Sequence, residues 1–394
     1  MPTRITAMVI LALVAVCASA FGQTTVHFDA VKKSVALSTG IEMKYVEAGS
    51  RNGEVVILLH GVTDTSRSFY PTIESLVDRG TALHVYALDQ RGHGESSMPT
   101  EAECASAPER CFEMKDFAAD VIAFMDALGI ERASIVGHSM GSGVAQEIAL
   151  IRPERVEGLV LIGAFVSGDN PVIHDFLLTA TIEGDWKAKL ERSRPGLAWP
   201  KDAYWLTPGD ADPDVEKWMT ENWVADPTAD PALLREVLPE TIATPLGTWL
   251  GALRGQGVMD NRERLTGLTV PVLVLWATQD SIFLEDPDQA RLRAALDAAV
   301  SACNTRYYFK TYGKKPLPAS GLQENDLGHN TQWGAPEAVA ADIESFFTTG
   351  KPTRDLPYAD AEDVRAVRTA VGEAKILARE PGEQCRTQSA SARR

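Results

Sequence analysis

Five short stretches of the chain are apolar almost from end to end: residues 54–60 (EVVILLH), 84–89 (HVYALD), 133–138 (ASIVGH), 157–163 (EGLVLIG) and 271–277 (PVLVLWA). None alternates apolar with polar residues, as a strand with one wet face does. Each therefore reads as a strand covered on both faces. Amphipathic stretches lie between them. Residues 115–129 put Phe117, Val121, Phe124, Met125 and Leu128 on one helical face. Strand and helix in alternation imply an α/β fold, a mostly parallel central sheet with helices on both faces. Ahead of the first run, residues 35–38 and 42–47 flank Thr39-Gly40 and read as a hairpin at the sheet edge.

The alternation lapses between residues 170 and 262. This stretch holds Pro-Asp turns, helical patterns and six of the eight tryptophans. It is too long for a loop, so it reads as an inserted helical cap. The strand pattern resumes at Val270, and a helix over residues 335–347 reads as the last core element. The polar tail that follows has one helical stretch near residues 361–378 and an RTQSASARR end expected to be disordered. The predicted organisation is a signal peptide (1–20), a first core segment (21–169), the cap (170–262), a second core segment (263–349) and the tail (350–394).

The signal-peptide assignment rests on residues 7–21. This apolar run is shorter than the ~20 residues that cross a bilayer. Arg4 precedes it and an Ala18-Ser19-Ala20 cleavage site lies at its end. The alternative is an uncleaved anchor. Cleavage after Ala20 removes Cys17 and leaves four cysteines, an even number, as expected of an exported chain with two disulfides. Of the three pairings, Cys104–Cys111 shares one loop, and Cys303–Cys385 then ties the tail to the body. Acidic residues outnumber basic ones 54 to 38, a net charge of −16. That argues against a nucleic-acid partner and against docking on anionic lipid, both of which need a basic footprint.

The segment Gly137-His138-Ser139-Met140-Gly141 matches G-x-S-x-G, with a strand before it and a helical run from Val144 after it. That context is the one a nucleophile elbow requires, in which a sharp turn lifts the serine hydroxyl above the sheet edge. A serine nucleophile needs a base, and the base an orienting acid. Of seven histidines only His329 lies beyond His174, in a loop just before the final helix. The acid is read as Asp280, just past the run 271–277. Asp169, Asp286, Asp288 and Asp326 compete with it. An oxyanion needs preplaced donors. These are read as the Met140 N–H, next after the nucleophile, and the Val62 N–H, in the loop that opens with His60-Gly61. The sequence contains no H-E-x-x-H, C-x-x-C, Walker or dinucleotide-binding fingerprint, so neither a metal nor an organic cofactor is expected.

These motifs, with Asp89-Gln90-Arg91-Gly92-His93-Gly94-Glu95-Ser96, follow one another in an order that resembles the capped α/β-hydrolases across roughly residues 35–348. Together with the signal peptide read at residues 1–20, the resemblance implies an exported serine hydrolase of carboxylic ester-type bonds, acting on a small molecule through an acyl-enzyme. It implies a structural role for Arg91, His93 and His138. Haloalkane dehalogenases and epoxide hydrolases share the fold but carry aspartate at the elbow, and Ser139 argues against both. Carbon–carbon hydrolases, perhydrolases and a non-catalytic binder on this fold remain as alternatives. The cap tryptophans either line an apolar acyl pocket or form the cap's own core.

Overall fold

Among the described residues, nine strands hydrogen-bond into one sheet. The computed structural model describes residues 27–223, 226–359, 367–382 and 385. In chain order the strands are β1 (His27–Ala36), β2 (Glu42–Gly49), β3 (Val55–Leu59), β4 (His84–Asp89), β5 (Ala133–His138), β6 (Val156–Ile162), β7 (Val272–Ala277), β8 (Tyr307–Tyr312), β9 (Asp355–Ala359), β10 (Val367–Glu373) and β11 (Ile376–Arg379). The main sheet runs β1-β2-β4-β3-β5-β6-β7-β8-β11. Strands β4 to β8 pair in parallel, and antiparallel strands close both edges. β9 and β10 form a separate two-stranded sheet. The five apolar runs are all strands here. The edge hairpin is β1–β2, with Gly40 at φ +86° in its turn.

Helices cover both faces. On one side, α2 (Met114–Ala127), α3 (Met140–Ile151) and α4 (Ala290–Ser301) share an apolar core with the inward residues of the sheet. On the other lie α1 (Tyr70–Asp78) and α5 (Pro336–Thr349). The start of α2 is held by a reciprocal cap between Glu113 and Asp116, so the helix begins where its apolar face begins. Between β6 and β7 the chain is helical. It carries a π-helical run over Val172–Trp186 and α-helices at Val215–Asn222, Pro231–Ala243 and Leu246–Gly257, among shorter turns. Trp186 and Trp249 are wholly buried there, with ring centroids 5.4 Å apart.

Three points differ from the sequence-based expectations. β8 (YYFKTY) was not anticipated, because Lys310 interrupts its apolar run. Lys310 is nonetheless fully buried, its Nζ 2.7 Å from Asp342 and 2.8 Å from the Thr353 hydroxyl. The helical stretch expected near 361–378 is also wrong where it is described. Residues 367–373 and 376–379 are strands, and β11 extends the main sheet by pairing with β8. The edge of β8 offered unpaired backbone groups, and that pairing outweighed the tail's local helical pattern. The last core element is therefore β11, not α5. Both disulfides are present as expected, Cys104–Cys111 and Cys303–Cys385, with Cα separations of 5.9 and 5.4 Å. Residues 1–20 lie outside the described part. Among the described residues no helix is long and apolar enough to cross a membrane.

Candidate active site

Ser139 sits between the end of β5 and the first turn of α3, at φ 52°, ψ −121°. A non-glycine residue with positive φ costs on the order of 1–3 kcal/mol and persists only where its surroundings impose it. Here the Ser139 N–H donates to the Ile162 carbonyl at 2.9 Å, and the Ser142 N–H to the Ser139 carbonyl at 2.8 Å. The flanking glycines follow from the same crossing. A Cβ at Gly137 would lie 2.2 Å from the Gly141 carbonyl oxygen, and one at Gly141 2.2 Å from that of Leu59. The elbow is thus a place where strand and helix come too close for side chains.

His329 and Asp280 come from separate loops that the backbone ties together. The Gln279 N–H donates to the Leu327 carbonyl at 3.0 Å, and Gln279 and Gly328 form an isolated parallel bridge. His329 Nδ1 lies 3.1 Å from both Asp280 carboxylate oxygens. Asp280 Oδ1 also accepts from the Ile282 and Phe283 N–H groups, at 3.0 and 2.9 Å. Both side chains are buried. Gly163, at φ +51°, leaves room for the imidazole, since a Cβ there would sit 3.0 Å from His329 Nδ1.

The competing acids lie elsewhere or are otherwise engaged. Asp169 is exposed and 3.7 Å from Arg291. Asp286 is exposed. Asp288 accepts the Leu284 N–H, and burial pushes its carboxyl up to about 6. Asp326 accepts four backbone N–H groups, from Lys314, Lys315, Leu327 and Ala359.

Ser139, His329, Gly61 and Val62 line one cavity of about 30 Å³, together with Asp64, His138, Trp223, Ile282, Asn330 and Trp333. Met140 opens α3, where a first-turn N–H has no partner within the helix. A second cavity, of about 310 Å³, shares Trp223, Ile282, His329 and Asn330 with the first and extends past Phe176 and Leu322. Of the tryptophans in the insertion, Trp186 and Trp249 form its core. Trp223 lines both cavities, its indole N–H held by the Thr63 hydroxyl at 2.9 Å.

Two further motif histidines are engaged with backbone groups. His60 Nδ1 donates to the Gly61 carbonyl at 2.7 Å while its Nε2 accepts the Gln90 N–H, and burial holds it down at about 4. His93 donates to the Arg91 carbonyl at 2.8 Å, and burial holds it down at about 3. Arg91 itself forms a bidentate pair with Asp120 at 2.6 and 2.7 Å.

The sequence assigns no role to Asp64, Asn330, Trp333 or Gly163, and offers Trp223 only as one of the cap tryptophans. Asp64 alone carried a local signal, an acid four residues past His60 in a loop that opens on the site.

A model of the family described as alpha/beta hydrolase fold matches residues 54–303. The chain belongs to the alpha/beta hydrolase family. Epoxide hydrolase A of Mycobacterium tuberculosis is 34% identical over 125 residues, 32% of this chain and 36% of that protein. Epoxide hydrolase B of the same organism is 29% identical over 175 residues, 43% of this chain and 46% of that protein. The chain thus spans less than half the length of these curated relatives. Among solved structures, an enol-lactonase from Burkholderia xenovorans LB400 superimposes with a TM-score of 0.54 at 20% identity, covering 80% of this chain and all of that one. An esterase from Rhodococcus gives 0.55 at 20% identity, covering 81% and 98%. At that identity the likeness speaks for the alpha/beta hydrolase fold alone.

Proposed function

We propose that this alpha/beta hydrolase is an exported serine hydrolase of carboxylic ester-type bonds, with Ser139, His329 and Asp280 as its catalytic triad. The observation that carries the reading is the buried His329–Asp280 pair, whose imidazole lines one cavity with a serine on a strained elbow. In the proposed reaction Ser139 Oγ attacks the ester carbonyl and His329 Nε2 takes the hydroxyl proton. Asp280 holds Nδ1 protonated and stabilises the imidazolium. The Val62 and Met140 N–H groups receive the oxyanion. The imidazolium then returns its proton to the leaving alcohol, and water attacks the acyl-serine with His329 again as base.

The epoxide hydrolases among the relatives do not set the reaction here. Opening an epoxide with a serine hydroxyl would leave an ether, which has no carbonyl for water to attack. An ester leaves an acyl-serine, which does. Export is supported by the two disulfides, which persist in oxidising compartments. The insertion between β6 and β7 is read as a cap that shapes substrate entry through Trp223.

A fluorophosphonate probe tests the reading. The wild-type protein should be labelled at Ser139 and should turn over aryl esters graded by acyl length. Absence of labelling, or turnover of dienone substrates instead of esters, would replace it with a binding role or with carbon–carbon bond cleavage.

A further inference from the structure

Among the described residues, Asp64 is the one carboxyl group lining the cavity that holds Ser139 and His329. It follows Gly61 and Val62 on the loop after β3, and its side chain is 9% exposed. A Cβ placed on Gly61 would lie 3.0 Å from His138 Nδ1, 3.2 Å from Ser139 Cβ and 3.3 Å from Asp64 Oδ2. Those three atoms therefore converge on one point at the floor of the site.

The hydrogen bonds that Asp64 accepts, from Ser68 and at Gly61, favour its charged form, while burial and the lone pair of His138 oppose it. Ser68 Oγ accepts from Gln332 Nε2 at 3.1 Å and from the Trp333 indole N–H at 2.9 Å. Its own proton is left to donate to Asp64 Oδ2, at 3.2 Å. His138 Nε2 lies 3.2 Å from the His329 carbonyl oxygen, which only accepts, so Nε2 carries the proton. His138 Nδ1 is then a bare lone pair. It is buried without a hydrogen-bond partner, 3.9 Å from Asp64 Oδ2. A lone pair facing a carboxylate repels it, whereas a carboxylic acid suffers no such repulsion.

The other ionisable groups around Asp64 do not reverse this. His138 is kept neutral by burial. Glu240, on the helix Pro231–Ala243, adds negative charge, and its carboxylate is already paired with Arg67 at 2.7 Å. His329 favours the charged form only when it is itself protonated. Burial is the largest influence on Asp64, and its carboxyl is pushed up to about 7.

We propose that Asp64 is a substrate-facing residue of the site, working as a neutral carboxylic acid that donates a hydrogen bond to the reacting carbonyl oxygen beside the Val62 and Met140 N–H groups. This rests on the serine-hydrolase reading for the identity of that oxygen, but not for the protonation of Asp64. Ionisation removes the donor and puts a negative charge next to the developing oxyanion. Hydrolysis should then fall on the alkaline side as Asp64 ionises.

The test uses D64N and D64A in the full disulfide-bonded protein. Infrared difference spectra, wild type minus D64N, should show the C=O stretch of a protonated carboxylic acid near pH 6 that fades with an apparent midpoint of about 7. This readout needs no turnover, so it stands even if ester hydrolysis is never found. For kcat/KM of an aryl ester, the wild type should fall about tenfold per pH unit above that midpoint, as for one essential proton. D64N, whose amide still donates, should be slower at neutral pH yet lose the alkaline fall. D64A should lose on the order of 10²-fold, the effect of removing one oxyanion donor. A carboxylate band at pH 6 would overturn the proposal. So would an alkaline limb in D64N with the wild-type midpoint, or a D64N that folds but is as slow as D64A.

Discussion

Ser139, His329 and Asp280 hold their positions through contacts that can be removed one at a time. S139A should abolish fluorophosphonate labelling and lower ester turnover on the order of 10³-fold or more, since the oxyanion donors then act alone. D280N should cost on the order of 10⁴-fold by favouring the wrong imidazole tautomer, and D169N should cost little, because Asp169 faces solvent beside Arg291. A larger loss in D169N would move the acid to the loop after β6. His93 makes a prediction about stability. Burial holds it at about 3 in the folded chain, while in the unfolded chain it titrates near ~6.5. Between those values the unfolded state binds the extra proton, so stability falls as pH drops from 6.5 towards 3, by about 1.4 kcal/mol per pH unit. Asp64 has the opposite sense. Between ~3.9 and about 7 the folded state binds the extra proton, so stability falls as pH rises through that range. D64N should therefore gain more in Tm over the wild type at pH 8 than at pH 4, measured by thermal unfolding across pH.

The elements that carry these residues depend on close backbone crossings and on one buried charge. G137A and G141A would each force a methyl group within 2.2 Å of a carbonyl oxygen, so both should destabilise the fold as well as the site. G163A should act more selectively, since its methyl group would meet the His329 ring and backbone first. β8 is held by Lys310, whose ammonium meets Asp342 and Thr353, while the Tyr312 hydroxyl donates to the same carboxylate. D342A would strand that ammonium in the core and should cost about 3–5 kcal/mol in chemical denaturation. Replacing Lys310 and Asp342 together by apolar residues should recover much of the loss, because no charge is then left unpaired. The same network joins β8 to the segment after α5, which explains why the chain continues into β11 rather than fraying at Gly350.

Over the whole molecule, the two disulfides constrain very different lengths of chain. Cys303–Cys385 spans 82 residues, for which the chain-entropy model gives ~4.5 kcal/mol; Cys104–Cys111 spans 7, for which it gives ~2.4 kcal/mol. Reduction, or C303S with C385S, should therefore lower the denaturation midpoint more than C104S with C111S. The short loop matters more locally. Arg254 of the insertion pairs with Glu109 at 3.0 Å, and the Tyr204 hydroxyl donates to the Pro99 carbonyl at 2.8 Å. Loosening that loop should raise KM before it lowers Tm. Non-reducing peptide mapping of protein from an oxidising compartment checks the connectivity, and Cys104 joined to Cys303 or Cys385 would refute it.

Strand identity and the strand–serine–helix crossing were legible in the linear chain because each depends on local pattern. An unbroken apolar run marks a strand covered on both faces. G-x-S-x-G between a strand and a helix marks a crossing with no room for side chains. β8 escaped notice because its buried lysine is stabilised by Asp342, 32 residues away, and a charge in isolation reads as solvent-facing. The tail escaped for a related reason: its helical pattern was overridden by a sheet edge supplied by β8, some seventy residues earlier. Asp280 is chosen from five acids by its place just past β7, but its contact with His329 depends on the Gln279–Gly328 bridge that draws two loops together. Asp64 was visible only as one acid among many. Beyond its neighbour Ser68, the groups around it, His138 and the Trp333 loop, come from two distant parts of the chain, and the charge state of a buried carboxyl depends on what surrounds it in space.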